Sequence, residues 1–160
     1  MRTQPQWRAS SILLAASGLI VAALGAYFIA LRPPLLAEDL RYMQMTDTEA
    51  SALLPHLAPW LAQVFRVLGG YALATGLLAV TLAATSFRAR NPVAVFGAAV
   101  GGAASIGLMV AVNFALDSDF KWALAGVASV WGLSLVSFGL EGRTGSPQRL
   151  PKTPDEGNAP

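Results

Sequence analysis

Four long stretches without a charged side chain constrain this sequence more than any other feature. They cover residues 9–31, 67–87, 91–116 and 122–140. About 20 apolar residues in a helix, rising about 1.5 Å each, cross the roughly 30 Å hydrocarbon core of a bilayer. Because the apolar runs are continuous rather than alternating, they predict helices and not barrel strands. The predicted fold class is all-α: a polytopic membrane protein with a four-transmembrane-helix bundle, spans at about 9–31, 67–87, 92–116 and 122–140.

The composition agrees with a lipid-facing surface. Hydrophobic residues make up 54% and charged residues 12% of the 160 residues, about half the charged share of an ordinary globular chain. That is too little polar surface for a soluble domain of this size. The chain contains no cysteine, which excludes disulfides and thiolate chemistry. Its basic residues are not clustered, so the predicted partner is the lipid bilayer and not nucleic acid.

The positive charges predict the orientation. Arg2 and Arg8 before an apolar run also fit a cleaved signal peptide, but this run is longer than the about 7–15 residues of a signal core, which favours an uncleaved span. With the N-terminus inside, seven lysines and arginines are cytoplasmic and four are outside. This imbalance predicts N-in and C-in, with cytoplasmic residues 1–8, an outer loop 32–66 and a disordered cytoplasmic tail 141–160. Arg88 and Arg90, which lie in a short loop, are the strongest indicator of this orientation.

The outer loop contains signals of a further helix. Two prolines after Arg32 end the first span, and Thr46 and Glu49 have the spacing of a capping box. Apolar residues then recur at helical spacing from 53 to 68, which predicts an amphipathic helix bent near Pro55 or Pro59. It either lies on the outer membrane surface or packs as a lid on the bundle. The sequence leaves both open.

Polar residues gather on the same predicted side of the membrane. The loop between spans three and four is short, so these helices are predicted to be antiparallel neighbours. We expect an ion pair from Arg41 to Asp117 or Asp119, which would hold the long loop across the mouth of the bundle. The candidate outer-face cluster comprises Glu38, Asp39, Arg41, Asn113, Asp117, Asp119 and Lys121.

Small residues repeat every four positions in the third span. At this spacing Gly97, Gly101 and Ser105 lie on one helix face and allow another helix to approach closely. The partner is either a helix of the same bundle, which we favour, or a second copy of the chain. Both interpretations predict a helix-packing role for these three residues.

The sequence predicts no catalytic residue, cofactor or metal. No charged residue lies deep in any span, as a proton or ion pathway would need. Asn113 is the most polar side chain within the spans and is placed to bond across helices or to line a small cavity. His56 is the only histidine, and one imidazole with scattered carboxylates lacks the spacing of a metal site.

Residues 31–43 and 113–122, with the sequences LRPPLLAEDLRYM and NFALDSDFKW, resemble a family of small, uncharacterised bacterial four-helix membrane proteins. The resemblance extends from the first span to the fourth, includes Gly69, Gly70 and Tyr71, and leaves out both termini. It implies a bacterial inner-membrane setting and an outer-face polar cluster. It implies no catalytic role.

Three functions remain as hypotheses. The first is a non-enzymatic protein that associates with itself or with an envelope protein complex. The alternative binds a lipid or small apolar ligand, or passes a small solute, near Asn113 beneath the outer loop. The third is a membrane-embedded enzyme that uses Glu38, Asp39 or Asp117 as acid or base.

Overall fold

The computed structural model describes residues 7–53 and 55–144, which form helices joined by short loops. No strand occurs in these residues, and the predicted all-α fold is confirmed. Four helices, Ala9–Ala30, Leu57–Phe87, Pro92–Ala115 and Lys121–Arg143, are long and apolar enough to cross a membrane, so the chain is a multi-pass membrane protein. The elements are α1 (Ala9–Ala30), α2 (Ala37–Met43), α3 (Asp47–Leu53), α4 (Leu57–Leu82), α5 (Pro92–Gly102), α6 (Leu108–Ala115) and α7 (Lys121–Thr144).

The closest helix pair joins α1 to α4, and glycines make it possible. Gly18 lies against Gly76, where an added Cβ would be 2.8 Å from the Gly76 carbonyl oxygen. Seven residues along, Gly25 lies against Gly69, where an added Cβ would be 2.7 Å from the Gly69 carbonyl oxygen. Seven residues are two helical turns, so Gly18 and Gly25 share one face of α1, and Gly69 and Gly76 share one face of α4. Because these glycines have no side chains, the backbones of α1 and α4 approach to contact distance.

The apolar core lies near the end of the bundle that carries the chain termini. Leu14, Ala83, Phe87, Ala94 and Ala98 form a buried cluster. α7 packs on α1 and supplies Phe138, whose ring centroid is 4.6 Å from that of Phe87. The third span contacts α7, as its short connecting loop predicts.

The second span begins earlier than its uncharged stretch indicates. Residues 57–66, predicted to belong to the outer loop, are the first turns of α4, so the predicted start of the second span at residue 67 is wrong. The predicted loop helix is present as α3, which begins at the Thr46–Glu49 capping box, and as these first turns of α4. The predicted bend is at Pro55, between α3 and α4, whereas Pro59 lies within the first turn of α4. The whole helix, Leu57–Phe87, has 31 residues and is about 46 Å long. It is therefore longer than the hydrocarbon core is thick, and Arg66 near its N-terminal end is exposed.

Two further boundaries differ from the sequence prediction. Helix α7 continues to Thr144, so residues 141–144 are helical and not part of a disordered tail, because Glu141 is bonded to the first helix. The rest of that predicted tail, 145–160, lies outside the described residues. Ala83–Phe87 and Ala103–Gly107 are π-helical. Such wider turns occur frequently at functional sites.

Candidate functional site at the loop end of the bundle

Helix α2 is tied to the bundle at the loop end, which we define as the end formed by residues 31–53, 55–56 and 116–120. Arg32, just after the first span, has a side chain only 8% exposed and pairs with Asp39 at 3.3 Å. The same carboxylate accepts a 2.8 Å bond from the backbone N–H of Leu36, which closes the first turn of α2. The Arg32 guanidinium lies 3.5 Å from the ring centroid of Phe65 in α4. Arg32 thus joins α1, α2 and α4.

Glu38 connects α2 to the loop between the third and fourth spans. Its Oε2 accepts hydrogen bonds from the Ser118 hydroxyl, at 3.0 Å, and from the backbone N–H of Asp119, at 2.9 Å. Ser118 is 1% exposed, and its Oγ also accepts from the Phe120 N–H at the start of α7. Both donors to Glu38 are neutral groups.

Arg41 makes the expected ion pair. Its Nη2 lies 3.0 Å from Asp119 Oδ1 and donates to the Asp117 carbonyl oxygen at 3.2 Å. The two side chains are 53% and 66% exposed, so water screens the pair and its stabilisation is small, about 0–1 kcal/mol. Its contribution is to fix the position of α2 across the mouth of the bundle.

Asp117 occupies a left-handed backbone conformation, with φ of 51°, an uncommon one for a residue other than glycine. Its carboxylate pairs with Lys121 one turn further along. The hydrogen bond from Lys121, followed by the positive charges of Lys121 and Arg41, holds the pKa of the Asp117 carboxyl below its usual 3.8. A lowered folded-state pKa contributes stability above pH 3.8 that is lost as the pH falls through the folded value.

A pH titration tests this contact. We expect Asp117 to titrate below 3.8 in the wild-type protein, followed by carboxyl ¹³C NMR in detergent. Lys121→Gln should return the pKa towards 3.8, because the bonding ammonium is gone. Arg66→Gln, which removes an exposed charge from α4, serves as the control and should leave the titration unchanged. An equal pKa in wild type and Lys121→Gln would contradict the assigned cause.

Asn113 lies apart from this cluster. Its side-chain amide donates to the Met109 carbonyl of its own helix at 2.8 Å. The other six predicted residues lie at the loop end, where Glu38 and Arg41 link α2 with residues 117–119, Asp39 bonds to Arg32, and Lys121 pairs with Asp117. The three carboxylates considered as acid or base, Glu38, Asp39 and Asp117, all accept bonds from these neighbours.

A groove of about 320 Å³ runs beneath α2. Apolar side chains of the loop end and of the first turns of α4 form most of its walls, and Asn113 does not line it. Its lining residues are Pro34, Leu35, Glu38, Asp39, Tyr42, Met43, Leu61, Phe65 and Leu116. No sequence pattern predicted this groove, since α2 was not predicted as a helix.

A second cavity, of about 220 Å³, is a cleft between the second and third spans, and Leu14, Ser17 and Val21 of α1 and Trp131 of α7 also line it. Gly97, Gly101 and Ser105 lie along it, with Leu78 and Ala79 of α4 opposite. A Cβ added at Gly97 or Gly101 would meet no atom within 4 Å. These two glycines therefore make no close contact within the described residues, and the helix-packing role of Gly97, Gly101 and Ser105 stays a prediction. The Ser105 hydroxyl bonds to the Gly101 carbonyl of its own helix at 2.6 Å.

A polar clasp at the opposite end was missed by the sequence analysis. Glu141 accepts from the Ser10 hydroxyl at 2.7 Å and from the Ser10 N–H at 3.1 Å, and it pairs with Arg90 at 3.0 Å. Arg90 also donates to the Phe138 carbonyl and stacks 3.5 Å from that ring centroid. Its φ of 63° is left-handed. The only available sequence signal was a charge at each of two span ends.

Within the described residues, no group of three or more histidine, cysteine or acidic side chains could hold a metal ion. Comparison with protein-family models, curated proteins and solved structures gives no match for this chain. The family resemblance inferred from residues 31–43 and 113–122 therefore stays a prediction. The structure therefore has two candidate sites. One is the apolar groove beneath the tethered helix α2 at the loop end, and the other is the cleft along the second and third spans.

Proposed function

We propose that this protein acts by association within the bilayer, with a second copy of the chain as its partner. One observation carries the proposal. Gly97 and Gly101 lie one turn apart on the third span, and a Cβ added at either would meet no atom within 4 Å. In lipid, helices associate through close packing of small residues and not through hydrophobic burial. A bare small-residue face is therefore a surface available to another helix.

The α1–α4 pair supplies the internal comparison. There, glycines spaced along one face bring two backbones into contact, as at Gly25 and Gly69. The third span presents glycines on one face without such a partner. Larger exposed side chains border them, with Val93 at 73%, Phe96 at 70% and Val100 at 52% exposure. Side chains of a facing helix can enter the cleft between these residues, as ridges enter grooves.

Single-cysteine crosslinking tests this association, since the chain has no cysteine of its own. In a two-fold dimer, residues near the axis meet their own copies. We expect Gly97→Cys or Gly101→Cys to give a disulfide-linked dimer in native membranes under mild oxidation. Gly126→Cys is the matched control, because it also replaces an exposed glycine with no atom within 4 Å of an added Cβ, on the fourth span. It should remain monomeric.

Two results would count against a second copy as partner. Equal dimer yield from Gly126→Cys would indicate random collision. Failure of both third-span variants to dimerise would exclude close approach at this face. If Gly101→Cys instead links only to a different membrane protein, the partner is an envelope protein, and the self-association proposal is overturned.

The proposed setting is the bacterial inner membrane, with both termini in the cytoplasm. Seven positive residues against four support this orientation. It would place α2 and its groove on the periplasmic side. The family resemblance supports the bacterial membrane.

A second candidate function is binding of a lipid or small apolar ligand. The groove beneath α2 favours it, since about 320 Å³ falls in the range of small-molecule sites, about 300–1,000 Å³. This groove replaces the position near Asn113 suggested by the sequence. The two candidates use different parts of the molecule and can be tested separately.

A further inference from the structure

The groove beneath α2 is not filled by the helix that covers it. No residue of α2 is buried. Tyr42 is 62% exposed and Met43 is 38% exposed, although both line the groove. α2 is held from its polar side, by Asp39 on Arg32 and by Glu38 and Arg41 on the loop before α7. The tethers therefore keep an apolar channel open under a short helix.

The position of the groove selects a lipid as its occupant. Leu116 ends the third span, and Leu61 and Phe65 lie in the first turns of α4. These residues lie at the loop-side ends of the second and third spans, where we expect the hydrocarbon to give way to the polar interface. An apolar channel at this depth is continuous with the lipid-facing surfaces of the spans, and an acyl chain can enter it without crossing water. A cavity of about 150 Å³ already holds benzene, so one of 320 Å³ holds a longer segment of hydrocarbon.

The charges of the groove select the headgroup. Asp39 is neutralised by Arg32 at 3.3 Å. Glu38 is different: its partners are the Ser118 hydroxyl and the Asp119 N–H, and no cation pairs with it among the described residues. A half-buried carboxylate beside apolar walls is stabilised by a cation brought into hydrogen-bond range.

The aromatic wall does not compete for that cation. The Arg32 guanidinium already lies over Phe65, at 3.5 Å from its centroid. Of the two carboxylates that line the groove, Glu38 is therefore the one left to bind a positive charge. A lipid with an ammonium headgroup satisfies both features, since its chain matches the apolar walls and its ammonium matches the carboxylate.

We propose that this groove binds one membrane lipid that carries an ammonium headgroup, with the acyl chain along Leu61, Phe65 and Leu116 and the ammonium at Glu38. The inference rests on the second candidate function, ligand binding, and is independent of association through the third span. It assigns Glu38 as the residue that determines headgroup preference. It assigns Met43 as part of the wall that admits the chain.

Native mass spectrometry of the full chain, released from detergent after lipid titration, tests the assignment. The probes are phosphatidylethanolamine and phosphatidylglycerol with identical acyl chains. We expect the ethanolamine lipid to bind about fivefold more tightly, the effect of a partly exposed ion pair of about 1 kcal/mol. Glu38→Gln should abolish the preference while it keeps an oxygen that can accept from Ser118 and Asp119. Asp47→Asn, the matched control, removes an equal charge outside the groove and should preserve the preference.

A groove-filling variant separates the two levels of the proposal. Met43→Trp places a larger side chain in the channel and should reduce retention of both lipids about equally. If Met43→Trp retains both lipids as wild type does, the groove is not the binding site and the ligand-binding function falls. If it reduces retention but wild type and Glu38→Gln show the same headgroup preference, only the assignment of the ammonium to Glu38 falls. Circular dichroism of each variant verifies that the helices are intact.

Discussion

Gly25→Ala should destabilise the protein by about 1–3 kcal/mol, the range observed when a well-packed interface is overfilled. The added methyl would lie 2.7 Å from the Gly69 carbonyl oxygen and closer still to the backbone of Leu73. These are backbone atoms, which a rotamer change cannot move aside. Relief requires α1 and α4 to separate along their whole contact, and a second glycine pair, Gly18 and Gly76, depends on the same spacing.

Gly70→Ala is the control for this substitution. It lies next to Gly69 on the same helix, but a Cβ at Gly70 meets no atom within 4 Å. Alanine is favoured over glycine in a helix by roughly 0.5–1 kcal/mol, so Gly70→Ala should be neutral or slightly stabilising. Unfolding in mixed micelles with increasing dodecyl sulfate, followed by circular dichroism, measures both. Equal effects of the two variants would contradict the close backbone contact at Gly25.

The four spans could be predicted because the bilayer imposes a length and an apolar composition on each of them. The first and third helices, Ala9–Ala30 and Pro92–Ala115, agree with the sequence to within a residue. The second does not, because a charge such as Arg66 ends an uncharged stretch but does not end a helix. Near the end of a span, a long basic side chain can reach the polar interface while the hydrogen-bond ladder of the helix continues.

Helix pairing could not be predicted in the same way. Gly18 and Gly25 have a spacing that places them on one face, as do Gly97 and Gly101 in the third span. Among the described residues, only the first set lies against another helix within Cβ reach. Local sequence specifies which residues share a face, but which helix covers that face depends on loop lengths and on packing between distant segments.

The loop-end contacts show the same limit. The predicted topology placed Arg41, Asp117 and Asp119 on the same side of the membrane. This was enough to expect Arg41 to pair with Asp117 or Asp119. The bond from Ser118 to Glu38 joins residues 80 positions apart, and no local pattern signals it. Arg32 was interpreted only as a charge at a span end, whereas its stacking on Phe65 depends on the early start of α4.

Arg90 combines a topological role with a structural one. In the sequence it is a strong cytoplasmic signal, since it follows the second span closely. In the structure the same guanidinium pairs with Glu141 and stacks on Phe138, while Glu141 bonds to Ser10 at the start of α1. Three chain segments that all lie at one membrane surface are thereby joined. The same arginine that indicates the orientation in the sequence therefore also forms an ion pair in the structure.

Removal of Glu141 should therefore loosen the end of the bundle opposite α2. The Arg90 and Glu141 side chains are 25% and 21% exposed, so we expect Glu141→Ala to cost about 2 kcal/mol, below the 3–5 kcal/mol of a fully buried pair. Ser10→Ala should cost about 1 kcal/mol, the value of one hydrogen bond. Because both variants break the Ser10–Glu141 bond, the double variant should cost less than their sum.

Arg143→Ala is the control for Glu141→Ala. It removes an exposed charge from the same last turn of α7 and should change stability by less than about 0.5 kcal/mol. Unfolding in mixed micelles provides the free energies, and amide hydrogen exchange at the start of α1 reports where the structure opens. Exchange there should rise in Glu141→Ala and stay constant in Arg143→Ala, because only Glu141 holds the Ser10 N–H. Strict additivity of Ser10→Ala and Glu141→Ala, with unchanged exchange at Ser10, would show that the clasp does not couple the first and fourth spans.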